Sequence, residues 1–355
     1  MYIQICSACT AMKYPLAWIV LYCRHNSNSR SQVMKAVQII ARGKPVFVDA
    51  PKPALAPETA IVRTLRVSLC GSDIRHLHHL PDSYYPTAAG ETGHEMVGVV
   101  EAIDSSASPV RAGDRVLCLA PDHRAMCEYY RAPVDHLLPL AAGVKLEHAV
   151  QAQQLGTVLY ACQALPDLRG KSVAVIGQGS AGLWFNEALR WLGADKIIAL
   201  DIKAYRLAYS RHFGATHAVC NADESPAAAL SDICGGALPD VVIEAAGEAE
   251  SIRLAVEIAR RGGFILWFGV PRFETMDFPF FEMFWKTLQT RGMVGAPQDP
   301  GHACTRRALD WISSGQVDAA AMITHTFRFD EVFEAYALHR LQDEGAVKIV
   351  IDMEE

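Results

Sequence analysis

An α/β fold is predicted, with a β-rich first half and a doubly wound parallel sheet in the second. Three observations predict it. A glycine-patterned turn, Gly177-Gln-Gly179-Ser-Ala-Gly182, sits between an apolar run and a helical pattern. Strand-like and helical stretches alternate from about residue 157 to 295, which is the pattern of a parallel sheet covered by helices on both faces. Short apolar runs broken by proline and glycine clusters fill residues 34 to about 155.

Taken in order, the strand-like runs of the first half are Ala36 to Ile40, Thr59 to Ser68, Met96 to Ala102 and Arg115 to Ala120. Pro51-Lys-Pro53 and Pro57 mark an extended connector. In the second half the strands are Ser172 to Ile176, Lys196 to Asp201, His217 to Cys220, Val241 to Ala245, Phe264 to Phe268 and Met293 to Gly295. Amphipathic stretches Leu183 to Trp191, Ala204 to Phe213 and Ile252 to Ala259 lie between them. The tail is helical over Thr305 to Ile312 and Phe329 to Leu341, then strand-like over Val347 to Ile351. It is expected to return to the first domain. The division is therefore a leader, 1–33; a β-rich domain, 34–156 and 300–355; and a cofactor domain, 157–299. A cleft is expected between the two domains, beside the C-terminal ends of the parallel strands.

The chain has 355 residues, 51% hydrophobic and 20% charged, as in an ordinary folded protein. A net charge of -6 supplies no footprint for nucleic acid or an anionic membrane. Ten scattered cysteines read as reduced intracellular thiols, and a cytoplasmic location is expected. The leader's apolar core, Tyr14 to Cys23, is too short to span a bilayer. Met34 begins an alternating run and reads as the functional start. Cys6, Cys9, Cys23 and His25 form no completed metal motif.

The turn after Ile176 carries the first chemistry. Gly177 makes the tight turn, Gly179 admits a pyrophosphate close to the backbone, and Gly182 lets helix and strand pack. The helix N-terminus, at Ser180 and Ala181, supplies positive dipole to the phosphates. Asp201 ends the second strand, where a carboxylate accepts hydrogen bonds from adenosine ribose hydroxyls. This is the Rossmann pattern for a nicotinamide dinucleotide. The charge of Asp201 repels a ribose 2′-phosphate and so favours NAD over NADP, with Lys203 as possible compensation.

The β-rich half carries the second. Cys70-Gly71-Ser72-Asp73 follows an apolar strand, and His94-Glu95 comes later. Thiolate, imidazole and carboxylate are a zinc ligand set, although either Cys70 or His94 alone would read as a core residue. With these motifs in view, the chain resembles the zinc-dependent medium-chain alcohol dehydrogenases, particularly their sorbitol/threonine dehydrogenase-like branch. The resemblance runs from Met34 to the end. It rests on Cys70-Gly-Ser-Asp73, Gly93-His-Glu-x-x-Gly98, Gly113-Asp-Arg-Val116, the Gly177 turn, Asp201 with Arg206, Glu244-Ala-Ala-Gly247 and Gly345-x-x-Lys348.

The resemblance implies a GroES-like catalytic domain beside the Rossmann domain, and these roles. Cys70 and His94 hold zinc, with Glu95 as a third or alternating ligand. Ser72 bonds the substrate hydroxyl and passes on its proton. Asp73 is a structural partner just beyond the metal. Arg206 lies along the adenine, Phe268-Gly269-Val270 passes near the nicotinamide, and Lys348 reaches the pyrophosphate. Zinc lowers the pKa of a bound alcohol, and hydride transfer is the cofactor's own chemistry.

Three departures from the family pattern stand out. Gln153 occupies the place of a glutamate beside the zinc, and as a neutral amide it is expected to touch the metal through water at most. Arg75, with His76 next to it, replaces a relay histidine. Only Cys118 and Cys127 lie where relatives carry four cysteines, so one catalytic zinc and no structural zinc are expected. His76, His78 and His79 read as a solvated loop. The aromatic run Phe278-Pro-Phe-Phe281 with Phe284-Trp285 reads as a subunit contact or a cleft wall.

The leading function is oxidation of a secondary alcohol (a polyol, sugar or 3-hydroxy amino acid) with NAD. The partner is a small-molecule alcohol or carbonyl, and a homodimer or homotetramer is expected by analogy. A zinc-free quinone or enoyl-type reductase and a non-catalytic dinucleotide-binding protein are the alternatives.

Overall fold

The computed structural model describes residues 32–354 apart from 107, 223, 224, 294, 296 and 297. Residues 1–31 of the leader, including Cys6, Cys9, Cys23 and His25, lie outside the described residues.

The strands of the first half pair antiparallel. Strands β1 (Val33–Ala41) and β2 (Lys44–Pro51) form a hairpin around Gly43, whose φ of 67° only glycine adopts without strain. Strand β2 has no counterpart among the strand-like runs of the sequence, and its last residue, Pro51, opens the stretch expected to be a connector. A seven-stranded sheet follows, built on β3 (Thr59–Ser68), β4 (Glu95–Asp104), β5 (Arg115–Leu119), β6 (Tyr129–Pro133) and β7 (Leu137–Pro139). Helix α1 (Asp73–His78) hangs from the end of β3. His76 and His78 are in this helix, and His79 caps it, so the expected solvated loop is corrected. Helix α2 (Ala152–Cys162) runs unbroken across residues 156 and 157, where the domain boundary was placed.

The six-stranded sheet is wholly parallel, in the order β10-β9-β8-β11-β12-β13. Its strands are β8 (Ser172–Ile176), β9 (Lys196–Asp201), β10 (His217–Cys220), β11 (Val241–Glu244), β12 (Phe264–Trp267) and β13 (Gln289–Gly292). Helices α3 (Ser180–Trp191), α4 (Ala204–His212), α5 (Ala227–Ile233) and α6 (Ala249–Ile258) are the crossovers. The last strand falls at Gln289–Gly292 rather than at Met293 to Gly295. Its polar, exposed residues gave no apolar signal, because it is an edge strand. Short helix α7 (Phe280–Trp285) leads into it.

The tail forms α8 (Ala303–Ser313), β14 (Ile323–Arg328), α9 (Val332–Leu341) and β15 (Lys348–Asp352). Strand β15 pairs antiparallel with β3, which closes the seven-stranded sheet with the C-terminus. Helix α8 packs on α2, where Gly156 leaves room for Thr305. Fully buried apolar side chains fill both halves: Leu155, Trp184 and Phe185 are among the largest. Each such side chain contributes about 1.5–3 kcal/mol on leaving water.

Candidate active site and cofactor cleft

A cleft of about 1450 Å³ is lined by both halves, from Cys70 and His94 on one side to Gly177 and Asp201 on the other. Its nucleotide end is set by the loop after β8. Gly177 has φ 90°, and a Cβ on Gly182 would collide with the Gly177 carbonyl, so the start of α3 presses directly on the strand's exit. Asp201 Oδ2 accepts the N–H of Gln178 (2.7 Å) and Oδ1 accepts that of Lys203 (2.8 Å). The carboxylate is thereby fixed against the glycine turn. Gly177, Gly179, Ser180, Ala181, Asp201, Arg206, Phe268, Gly269 and Val270 all line the cleft. Gly182 lies beneath it, buried.

Lys203 takes no part in the cleft. Its Nζ donates to the carbonyls of Leu341 (3.2 Å) and Gln342 (2.8 Å) and pairs with Asp343 at 2.8 Å. Tyr205 likewise donates to the Gln342 and Ala346 carbonyls. The Lys203 charge is committed to the tail, so the compensation for Asp201 considered from sequence is corrected. Arg206 leans back over the turn, with Nη1 3.9 Å from Asp201 and about 4.0 Å from where a Gly179 Cβ would stand.

The second end is built around the exits of β3 and the entry of β4. Register pairs Ser68 with Glu95, so Cys70 and His94, just outside the paired ends, come side by side. One ligand atom each from Cys70, His94 and Glu95 lies within 4.8 Å of the others. Asp73 holds both loops: its Oδ2 accepts the Cys70 N–H (2.9 Å) and its Oδ1 that of Gly93 (3.2 Å). Burial works against the charge of Asp73, yet His123, His94 and the Cys70 N–H keep its carboxyl far below the usual range. Burial, then the Glu95 charge, pushes the Cys70 thiol up to about 12.

These residues fit a zinc ion. Glu95 Oε1 is buried without a hydrogen-bond partner, 4.0 Å from His94 Nε2, and a thiol so hard to ionise needs a cation beside it to become a ligand. Ser72 Oγ is also buried and unpartnered on the cleft wall.

One sequence expectation changes here. Lys348 does not line the cleft: its side chain is wholly buried, with Nζ 2.6 Å from Glu95 Oε2. Strand β15 flanks β3 on the side opposite β4, and this directs Lys348 under the ligand loops rather than into the cleft. The amide that reaches the thiol is Gln154, with Nε2 3.8 Å from Cys70 Sγ. Gln153 lines the cleft nearby and its carbonyl accepts the Thr157 hydroxyl.

His123 was missed. It lines the cleft, stands 4.3 Å (ring centroids) from His94 and stacks on His76 at 4.5 Å, and His76 in turn bonds Glu91 at 2.7 Å. With Asp73 and His94 it makes the second metal-competent group among the described residues. A lone histidine has no motif. The only signal was its place just past β5, whose Leu119 pairs with Glu95.

Comparisons with known proteins agree with this geometry. A family profile described as "Alcohol dehydrogenase GroES-like domain" matches residues 56–158, and one described as "Zinc-binding dehydrogenase" matches residues 181–314. The chain is 28% identical over 327 residues to "Probable D-xylulose reductase A" of Aspergillus clavatus, covering 82% of this chain and 89% of that one. It is 28% identical over 364 residues to an "NADP-dependent isopropanol dehydrogenase" of Thermoanaerobacter brockii, covering 90% and 99%. Among solved structures, "Alcohol dehydrogenase TADH from Thermus sp. ATN1" superposes with a TM-score of 0.75 at 26% identity, covering 90% of this chain and 100% of that one.

Proposed function

The chain belongs to the zinc-dependent medium-chain alcohol dehydrogenase family, and within it we propose an enzyme that moves hydride between a secondary alcohol carbon and NAD. The observation that carries this reading is a shared cleft: Cys70 and His94, with Glu95 buried within ligand distance of them, open onto the same cavity as the Gly177 turn and Asp201.

When bound, zinc supplies Lewis acidity and the nicotinamide supplies a hydride acceptor. The chain supplies position and proton traffic. Cys70, His94 and Glu95 hold the metal from one wall. Ser72 bonds the substrate hydroxyl and carries its proton away. Asp73 keeps the two ligand loops in register. Asp201 takes the adenosine ribose hydroxyls and repels a 2′-phosphate, which selects NAD. Gln154 and Gln153 line the remaining wall. The exposed edge strand β13 and the exposed Phe280, Phe281, Phe284 and Trp285 support a homodimer or homotetramer through that side. No helix among the described residues is long and apolar enough to cross a membrane, and we assign the enzyme to the cytoplasm.

The test is a panel of secondary alcohols assayed with NAD by NADH absorbance, with zinc measured on the same sample. Turnover with about one zinc per chain is the expected result. Turnover by metal-free protein would favour the zinc-free reductase instead, and NADH binding without turnover a non-catalytic role.

A further inference from the structure

His136 and His302 face the same cleft, their rings 5.2 Å apart, and no role has been assigned to either. The Nδ1 atoms of both are buried without partners. His302 is 8% exposed, and its backbone is left-handed at φ 54°, a conformation histidine tolerates better than most residues. Asp299 holds it there: its Oδ2 accepts the N–H groups of Cys304 (2.8 Å) and Thr305 (3.3 Å) at the start of α8. Thr305 packs on Gly156 of α2, and Gln154 of the same helix reaches Cys70. Helix α2 thus links the histidine pair to the metal-binding thiol.

We propose that His136 and His302 form a specificity subsite for the further hydroxyls of a polyhydroxylated alcohol whose reacting carbon lies at the Cys70–His94 end. This rests on the dehydrogenase reading above and deepens it. A buried polar atom without a partner is costly until a ligand supplies one. Burial, then the neighbouring His136, lowers His302 from the usual imidazole range, while Asp299 and Asp135 pull the other way and Arg306 lowers it further. A neutral imidazole offers one donor and one acceptor, and a hydroxyl offers both in return. A carboxylate only accepts, and leaves the acceptor nitrogen of a neutral imidazole unpaired. An ammonium group only donates, and no carboxylate of the cleft wall stands beside the pair: Asp201, Glu248, Glu250 and Glu257 all belong to the six-stranded half. A simple alcohol leaves both Nδ1 atoms unpaired.

The experiment compares kcat/KM for xylitol, 2-butanol and L-threonine in the zinc-loaded enzyme and its variants. Wild type should prefer xylitol. In His302→Leu and His136→Leu the xylitol to 2-butanol ratio should fall about 10- to 100-fold, mainly through KM. His302→Asn and His136→Gln should restore much of it. NADH binding, measured on each variant, shows that the fold is kept. A ratio within about twofold of wild type in both leucine variants, or a wild-type preference for L-threonine or 2-butanol, overturns the subsite and leaves the dehydrogenase standing. Failure to oxidise any alcohol overturns both.

Discussion

The Lys348 ammonium lies 2.6 Å from the Glu95 carboxylate, and neither side chain has any exposed surface. The pair exists because β4 and β15 flank β3 on opposite sides, and their first residues converge beneath the end of β3. Ser68 Oγ, on β3 between them, donates to the same oxygen, Glu95 Oε2. Glu95 therefore has two unlike oxygens. One is committed to Lys348 and Ser68. The other, Oε1, is unpartnered and 4.0 Å from His94 Nε2.

Removing the lysine strands a buried charge. Lys348→Met should destabilise the fold by about 3–5 kcal/mol, read from urea unfolding. The double variant Lys348→Met/Glu95→Gln should recover most of that loss. Equal losses in the single and double variants would show that the two groups are not energetically linked.

Cys70→Ser should empty the metal site. Zinc by mass spectrometry should drop from about one per chain to near zero, with turnover lost and NADH binding retained. The fold should survive, because the loop is still held by Asp73 through the residue-70 N–H. Full activity in this variant would refute the metal reading.

Asp201→Ala should reduce the kcat/KM preference for NAD over NADP by about 10- to 100-fold. Lys203 is tied to the tail and adds no counter-charge that would blunt the effect. An unchanged ratio would take Asp201 out of ribose recognition.

Gly182→Ala tests the close packing of turn and helix. The added methyl meets the Gly177 carbonyl, and overpacking of this kind costs about 1–3 kcal/mol. NADH affinity should fall with stability. Gly179→Ala, where a Cβ finds only Arg206 Nη1 at 4.0 Å, should leave stability unchanged within about 0.5 kcal/mol.

Where period and motif were strong, the sequence was enough. Ser172 to Ile176 and Lys196 to Asp201 are strands within those bounds, as apolar runs that end at a glycine or an acid, and so is Thr59 to Ser68, a run that ends just before Cys70-Gly71. The donor set Cys70, His94 and Glu95 was legible as chemistry, since ligand types and their motifs are local. Lys348 was misplaced because its neighbours depend on strand order, which a single chain does not state. His123 and the His136–His302 pair were invisible for the same reason: each lies on a turn with no pattern of its own, and only the pairing of β5 with β4 or the packing of α8 on α2 brings it to the cleft. Strand β13 was displaced by four residues because polar edge residues carry no period.

The grip of Lys203 and Tyr205 on the carbonyls of Gln342 and Ala346 has a consequence for the whole molecule. It stitches the Asp201 end of one lobe to the chain that goes on to form β15 in the other. Any opening of the two lobes to admit a dinucleotide must therefore pivot about this seam or break it. Under the function proposed above, the hinge then falls at the Asp201 end and the widest gape toward Cys70 and His94.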